Sequence, residues 1–155
     1  KALGNGVPIG VFTALPEIAD LYTRPGASTL GGNPVSMTAG LATLDVIEKE
    51  GLIQNAAKLG SYLRERLLEL QDKHPLIGDV RGIGLMQGAE LVKNGKEPAA
   101  EEVDRILEIM KNRGIIIGKN GRCRNVLAFQ PPLVISKDNV DEMISNLDEV
   151  LTEVE

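Results

Sequence analysis

Three stretches of the chain place apolar residues at alternating steps of three and four, which is the spacing of a helix with one buried face. The first is Leu52–Lys73, and it stops at His74, because a residue that precedes proline is pushed out of helical backbone angles. The second covers residues 99–113 and ends at Gly114, and the third begins after Ser136, a good N-cap. The pattern predicts three amphipathic helices.

A fourth helical pattern has a different character. Asn33 is a favourable N-cap and Pro34 suits the first helical position. Residues 35–49 then carry small and apolar side chains around most of the helix circumference. Such a helix is expected to be buried on several sides.

Strand patterns lie between these helices. Residues 7–15 (VPIGVFTAL) form a short apolar run suited to a buried strand, and residues 78–92 indicate two strands or one long strand with a bulge. Further strand pieces are predicted, broken by a double proline, at residues 115–118, 125–129 and 133–135. From about residue 50 the order α, β, α, β, β, α predicts an α/β sandwich with helices on one face of a small sheet.

The composition limits the kinds of site that fit this pattern. The 155 residues include 17 Lys and Arg against 22 Asp and Glu, a net charge of −5, with 43% hydrophobic residues, as in a globular protein. One histidine, His74, and one cysteine, Cys123, cannot supply a zinc site or an internal disulfide, so no metal is expected. The acidic balance and the 3% aromatic content argue against a nucleic-acid partner.

The chain also lacks the usual membrane and targeting patterns. No apolar run approaches the ~20 residues of a membrane helix, and residues 1–10 lack the apolar core of a signal peptide. We therefore expect no membrane partner and a cytoplasmic location. Lys1 leads directly into a glycine-rich stretch, as a cut through a longer protein would.

The common catalytic constellations are missing from the sequence. His74, beside a proline at a helix end, is expected to be an exposed cap, and Asp79 and Glu90 are expected to be solvated or capping carboxylates. The glycines near the start do not make a dinucleotide fingerprint, which needs a strand before it and a helix directly after it.

Three segments carry a more specific signal through their order and spacing. They are KALGNGVPIG at residues 1–10, STLGGNPVSMTAGLATLDVIEKEGL at 28–52, and IGDVRGIGLMQGAELV at 77–92 followed by NVLAFQPPLVI at 125–135. Together they resemble the C-terminal portion of the class III, or omega, aminotransferases, most of all the alanine–glyoxylate and 4-aminobutyrate groups. The resemblance covers essentially the whole chain. It implies an α/β fold of fold-type I, with the end of the large domain at residues 1–49 and a small C-terminal domain at residues 50–155.

The resemblance also implies pyridoxal 5'-phosphate (PLP) as cofactor and three site residues. In the family the lysine that opens the first motif forms the Schiff base with PLP, which places that role on Lys1. The threonine of the second motif binds the cofactor phosphate of the neighbouring subunit, which assigns Thr29, with Ser28, to the phosphate and implies a homodimer. Hydroxyl and free N–H groups ahead of a helix are in themselves a suitable anion site.

One position departs from the family pattern. Many members have, in the strand before the double proline, an arginine that holds the substrate carboxylate, and the matching residue here is Ala128. Arg124 would share a strand face with Ala128, but at ~3.3 Å per residue it is about 13 Å away, beyond the reach of its side chain. Lys119, Arg122 and Arg124 are expected to form a solvated cationic loop.

The reaction that the resemblance implies is transfer of an amino group from an amino acid or ω-amino donor to a 2-oxo acid or aldehyde. Two alternatives remain open: a racemase or aminomutase of the same class, and a non-catalytic module that forms dimers. The isolated 155-residue chain is expected to fold from about residue 50 onward and to be inactive. One lysine and one threonine supply neither the counter-charge nor the orientation that the cofactor needs.

Overall fold

The computed structural model describes residues 2–155, and the chain divides into two compact units, Lys1–Gly51 and Leu52–Glu155. The described residues of the first unit form two helices and no strand. The second unit contains three helices and five strands.

The first unit is organised around the start of its long helix. A four-residue helix, α1 (Pro16–Ala19), precedes α2 (Pro34–Lys49). The Asn33 side chain accepts a hydrogen bond from the Ser36 N–H at 2.9 Å, and the Ser36 hydroxyl donates to the Pro8 carbonyl at 3.1 Å. The predicted N-cap and first-position proline of α2 are therefore confirmed, and the helix start is tied to the glycine-rich segment.

Two expectations for this unit are wrong. Residues 8–15 have no regular secondary structure, and Phe12 is 94% exposed. A strand needs a neighbour for its backbone N–H and C=O groups, and residues 2–51 contain no other strand. Helix α2 buries only Ser36 and Gly40, whereas Leu41 is 67% exposed. A helix that is apolar all round needs neighbours on every side, and residues 2–51 hold no second long helix or sheet to supply them.

The second unit is an α/β sandwich. Its elements are, in chain order, α3 (Leu52–Lys73), β1 (Ile77–Ile83), β2 (Met86–Lys93), β3 (Glu97–Pro98), α4 (Ala100–Asn112), β4 (Gly118–Asn120), β5 (Val126–Phe129) and α5 (Lys137–Val154). The sheet is antiparallel in the order β1-β2-β5-β4, and β3 pairs with the end of β2. The three helices predicted from periodicity are confirmed within two residues at each end.

One apolar core joins the sheet to the three helices. Across the strands Val80 pairs with Ala89 and Ala89 with Leu127, and all three are buried. The helices pack their predicted apolar stripes into the same cluster, through residues that include Leu63, Leu67, Val103, Ile106, Met110, Val140, Ile144, Leu147 and Leu151. The predicted sandwich is therefore confirmed.

The predicted strand pair at residues 78–92 is the β1–β2 hairpin, and its register shifts between Ile77 and Asp79, where a bulge lies. The hairpin turn rests on α3. A Cβ built on Gly60 would lie 2.5 Å from the Cα of Gly84 and closer still to its carbonyl group, where ordinary contacts begin at 3.4 Å. Only glycine at position 60 permits this approach.

The strand predicted at residues 115–118 forms only at its end. The β4 ladder begins with the pair Gly118 and Ala128. Its partner β5 ends at Phe129, and beyond that, in the same register, Ile115 would face Pro131, which has no N–H to donate. Residues 133–135, also predicted as a strand, form a turn outside the sheet.

The last helix begins with the cap that the sequence predicts. The Ser136 hydroxyl accepts from the Asn139 N–H at 3.2 Å, and the Asn139 side chain accepts from the Ser136 N–H at 3.3 Å. This reciprocal pair satisfies two backbone donors that a helix start leaves free.

Candidate functional site

The predicted phosphate-binding residues lie in a turn just before α2. Ser28 and Thr29 are both exposed, and residues 29–32 form the turn. The Gly31 N–H donates to the Ser28 carbonyl at 3.2 Å, and the Asn33 N–H donates to the Leu30 carbonyl at 3.4 Å. The turn therefore presents both hydroxyl side chains on its surface.

Two glycines make this turn possible. A Cβ on Gly31 would lie 2.9 Å from both the Cβ and the Oγ of Ser28, so a larger residue would displace the serine. Gly32 has φ of 70°, a left-handed conformation that side chains disfavour. The close approach of Ser28 thus explains Gly31, and the backbone conformation explains Gly32.

The donors present in this turn fit the phosphate end of PLP. The side-chain hydrogen bonds of the segment run through Asn33 and Ser36, and within residues 2–155 the hydroxyls of Ser28 and Thr29 have no partner. Exposed hydroxyls in a glycine turn donate well to phosphate oxygens. The turn has free donors where the resemblance requires them.

The start of α2 adds less to this site than the sequence suggested. The Asn33 side chain already accepts a hydrogen bond from the Ser36 N–H, and Pro34 has no N–H. Of the first three helical positions only Val35 keeps an N–H without a helix-capping partner. A phosphate would be held mainly by the loop.

Lys1, the predicted Schiff-base residue, lies outside the described residues, and its role stays a prediction. Ala128, the position of the family's arginine, is 8% exposed in β5. It lines a cavity of about 520 Å³ between residues 113–118, which lead into β4, and residues 128–132, at the end of β5 and just after it. The charged residues of the cavity wall are Arg113 and Glu142, and Arg113 already pairs with Glu149 at 2.6 Å.

Two of the three cationic residues near Ala128, Arg122 and Arg124, lie in an exposed loop as the sequence suggested, whereas Lys119 does not. The Lys119 side chain is 9% exposed and pairs with Asp104 at 2.6 Å. Arg122 and Arg124 are exposed, and Arg124 lies in the turn before β5 with φ of 55° rather than on the strand. Its side chain does not share a strand face with Ala128.

Asp79 and Glu90 both form ion pairs with the same cation, Arg81. The two residues face each other across β1 and β2, and the Arg81 guanidinium lies 2.5 Å from Asp79 and 2.7 Å from Glu90. These hydrogen bonds, first of all that to Asp79, raise the pKa of Arg81 above its usual value. The group is a surface ion network on the sheet.

His74 is buried, and the expectation of an exposed cap is wrong. It is 2% exposed, and its ring nitrogens face Asp148 at 2.6 Å and Glu155 at 3.1 Å. These partners are more than 70 residues away along the chain, so no local sequence signal pointed to them. Only the packing of α5 beside α3 brings them together.

Two findings bear on other kinds of site. Within residues 2–155 no group of three or more His, Cys, Asp or Glu side chains is placed to hold a metal ion. No helix among the same residues combines the length and the apolar character needed to cross a membrane.

The chain matches the family model Aminotransferase class-III over residues 1–151. It is 50% identical over 151 residues to alanine–glyoxylate aminotransferase 2 homolog 2, mitochondrial, of Arabidopsis thaliana, covering 96% of this chain and 32% of that protein. It is 40% identical over 158 residues to isoleucine 2-epimerase of Lentilactobacillus buchneri, covering 100% of this chain and 35% of that protein. The chain thus spans about a third of the length of these curated relatives.

Solved structures show the same relation. A phospholyase from Arthrobacter in complex with phosphoethanolamine superposes with a TM-score of 0.93 at 34% identity, over 97% of this chain and 36% of that one. An amine transaminase from an uncultivated Pseudomonas species, in its PLP-bound form, superposes with a TM-score of 0.76 at 32% identity, over 84% of this chain and 30% of that one.

Proposed function

The chain belongs to the class-III aminotransferase family, and from this membership we propose that the whole protein is a PLP-dependent aminotransferase. It would transfer an amino group from an amino acid or ω-amino donor to a 2-oxo acid or aldehyde. We assign residues 1–49 to the end of the PLP-binding large domain and residues 50–155 to the small C-terminal domain. When bound, the cofactor supplies an electron sink for the substrate carbon.

The observation that carries this proposal is the pair of free hydroxyls in the glycine turn. Ser28 and Thr29 would donate hydrogen bonds to the cofactor phosphate, and Thr29 would do so across the interface of a homodimer. The Nζ of Lys1 would hold the cofactor covalently and, once released, would move a proton on and off the substrate carbon. A lysine amine that is partly desolvated is nucleophilic towards an aldehyde near neutral pH.

A racemase is the second candidate, because one relative at 40% identity is named isoleucine 2-epimerase. The two functions differ in what the substrate amino group does. Incubation of the whole protein with a chiral amino acid and a 2-oxo acid should produce a new amino acid if it is an aminotransferase. Inversion of the amino acid without any amino transfer would establish the epimerase alternative. No turnover by the whole protein would favour the non-catalytic dimer module.

A homodimer is proposed with this assignment, because the resemblance gives Thr29 a phosphate contact across a subunit interface. The described residues of the first unit leave apolar side chains exposed, among them Val11, Phe12 and Leu44, that a second subunit would cover. Light scattering on the whole protein tests this, and a monomer would contradict it.

A cytoplasmic location is also proposed. One relative is named as mitochondrial, and recovery of the whole protein in an organelle fraction would overturn the cytoplasmic assignment.

The phosphate site is tested by Thr29→Ala in the whole protein. Loss of one hydrogen bond to a charged group costs roughly 1.5–3 kcal/mol, so the dissociation constant for PLP should rise about 10- to 100-fold. Thr23→Ala is the matched control, because Thr23 is an exposed threonine earlier in the same segment. Equal PLP affinity in the two variants would show that the turn serves only to lead into α2.

The attachment site is tested by borohydride reduction of the PLP-loaded whole protein. Peptide mapping should then find the cofactor on Lys1. A label on Lys58, Lys73 or Lys119 would refute the assignment of Lys1 and with it the proposed mechanism.

A further inference from the structure

An ion cluster around the buried ring of His74 joins the end of α3 to the last turns of α5. His74 follows α3 directly, and its side chain is 3% exposed. The Nε2 atom lies 2.6 Å from Oδ1 of Asp148, and the Nδ1 atom lies 3.1 Å from Oε2 of Glu155. The His74 imidazole therefore connects Asp148, in α5, with Glu155, which follows the helix directly and lies about two helical turns further on.

The charges around this cluster keep the two carboxylates acting as acceptors. The Nζ of Lys73 lies 2.6 Å from both oxygens of Asp148, and the Leu76 N–H donates to Oε1 of Glu155 at 3.3 Å. The hydrogen bonds from Lys73 and then from His74 hold the pKa of Asp148 below its usual range. Asp148 is thus ionised at neutral pH.

The remaining charged groups nearby belong to β2 and α4. Lys93 and Glu102 line the same surface cleft as Glu155 and pair with each other at 2.6 Å. They therefore neutralise one another. The ring of His74 is left with two anionic neighbours, Asp148 and Glu155, and one cation, Lys73.

The geometry decides which form of the ring fits. A neutral imidazole has one N–H, so one of its nitrogens would turn a lone pair toward a carboxylate oxygen. The ring itself is 3% exposed, so water has little access to this contact, and a lone pair that faces a carboxylate oxygen makes no hydrogen bond. Only a ring that carries a proton on each nitrogen donates to both Asp148 and Glu155.

We infer that His74 works as a pH-operated clasp, in which the doubly protonated ring holds the last turn of α5 against the end of α3 and loss of one ring proton releases that turn. The clasp is closed while both ring nitrogens carry a proton and opens when one proton leaves, because only the doubly protonated ring donates to both carboxylates. Glu155 separates from the ring first, because its contact with the ring is longer than that of Asp148. Asp148 also retains its ion pair with Lys73.

The test combines ring-nitrogen NMR with amide hydrogen exchange on the 155-residue chain between pH 5.5 and 9. As the ring loses one proton, the protection factors of the amides of residues 151–154 should fall at least about 10-fold, the effect of one lost charged hydrogen bond. The amides of Ile144 and Leu147, in the middle of α5, should not change. Protection of the last turn that does not follow ring protonation would overturn the clasp.

Two variants separate the clasp from simple fraying of the helix end. Glu155→Gln removes the acceptor charge and should leave the last turn equally protected at all these pH values. Glu153→Gln is the matched control on the same turn, because Glu153 is half-exposed and only 4.0 Å from Arg113, and it should keep the wild-type step. A wild-type step in Glu155→Gln would show that the step does not depend on the Glu155 carboxylate, which contradicts the proposal.

Discussion

Gly60 in the middle of α3 is expected to be essential for the seating of the β1–β2 hairpin. Replacing glycine by alanine inside an exposed helix normally stabilises a protein by about 1 kcal/mol, because alanine is the better helix former. At position 60 we expect the opposite sign. The new Cβ would lie 2.5 Å from the Cα of Gly84 and nearer to its carbonyl group.

The size of the effect follows from what must move. Overpacking costs about 1–3 kcal/mol where neighbouring side chains can rearrange. Here the neighbour is the backbone of the hairpin turn, where Gly84 has φ of 52°, so we take the upper value. Subtracting the ~1 kcal/mol gain in helix propensity leaves Gly60→Ala about 2 kcal/mol less stable. For a unit of roughly 100 residues this lowers the melting temperature by about 8–16 °C.

Urea unfolding followed by circular dichroism measures this loss, with Ala57→Gly as calibration on an exposed position of the same helix. Ala57→Gly should cost about 1 kcal/mol through helix propensity alone. If Gly60→Ala is neutral or stabilising while Ala57→Gly behaves as expected, the hairpin does not rest on α3 at this point. The packing argument would then be refuted.

Three further predictions concern the stability of the core, the loss of stability at acid pH, and the substrate preference at the cavity beside Ala128. Leu67 is fully buried, so Leu67→Ala should lower the free energy of unfolding by about 2–5 kcal/mol, whereas exposed Leu68→Ala in the same assay should cost much less. The pKa of Asp148 is depressed, so its contribution is complete above the unfolded value of about 3.9 and is lost as pH falls through the lower folded value. Unfolding free energy should therefore fall below about pH 4, and Asp148→Asn should flatten that slope. In the whole protein Ala128→Arg should lower KM for α-amino acids relative to ω-amino donors, and an unchanged ratio would place the carboxylate anchor elsewhere.

Periodicity predicted the helices of the second unit because each buries one stripe against the same core. Within each helix the buried residues recur three or four positions apart, as in the pairs Leu63 and Leu67, Val103 and Ile106, and Ile144 and Leu147. Such a stripe is visible without knowledge of its partner. Local chemistry was equally sufficient for the caps, since Asn33 and Ser136 satisfy backbone groups within three residues. The candidate phosphate turn was predicted from its motif, and its free hydroxyls are local features as well.

The errors lie where a residue depends on a partner that is distant in the sequence. The apolar run at residues 8–15 was predicted as a strand, but a strand forms only beside another one, and the described part of its unit has none. The strand at residues 115–118 is shortened because its partner, β5, ends at Phe129, ahead of Pro131 and Pro132. A sequence pattern shows the propensity of one strand and not the hydrogen-bonding capacity of its neighbour.

The sequence by itself thus determined the helical elements, their caps, the glycine turn that carries Ser28 and Thr29, and through its motifs the family. Tertiary structure alone decided that His74 is buried between Asp148 and Glu155 and that Arg81 joins Asp79 to Glu90. Helix formation and capping depend on residues within about one turn, so the local order of residues suffices to predict them. Burial and ion pairing depend on which distant surfaces meet, and that is settled only when the helices and the sheet pack into one core.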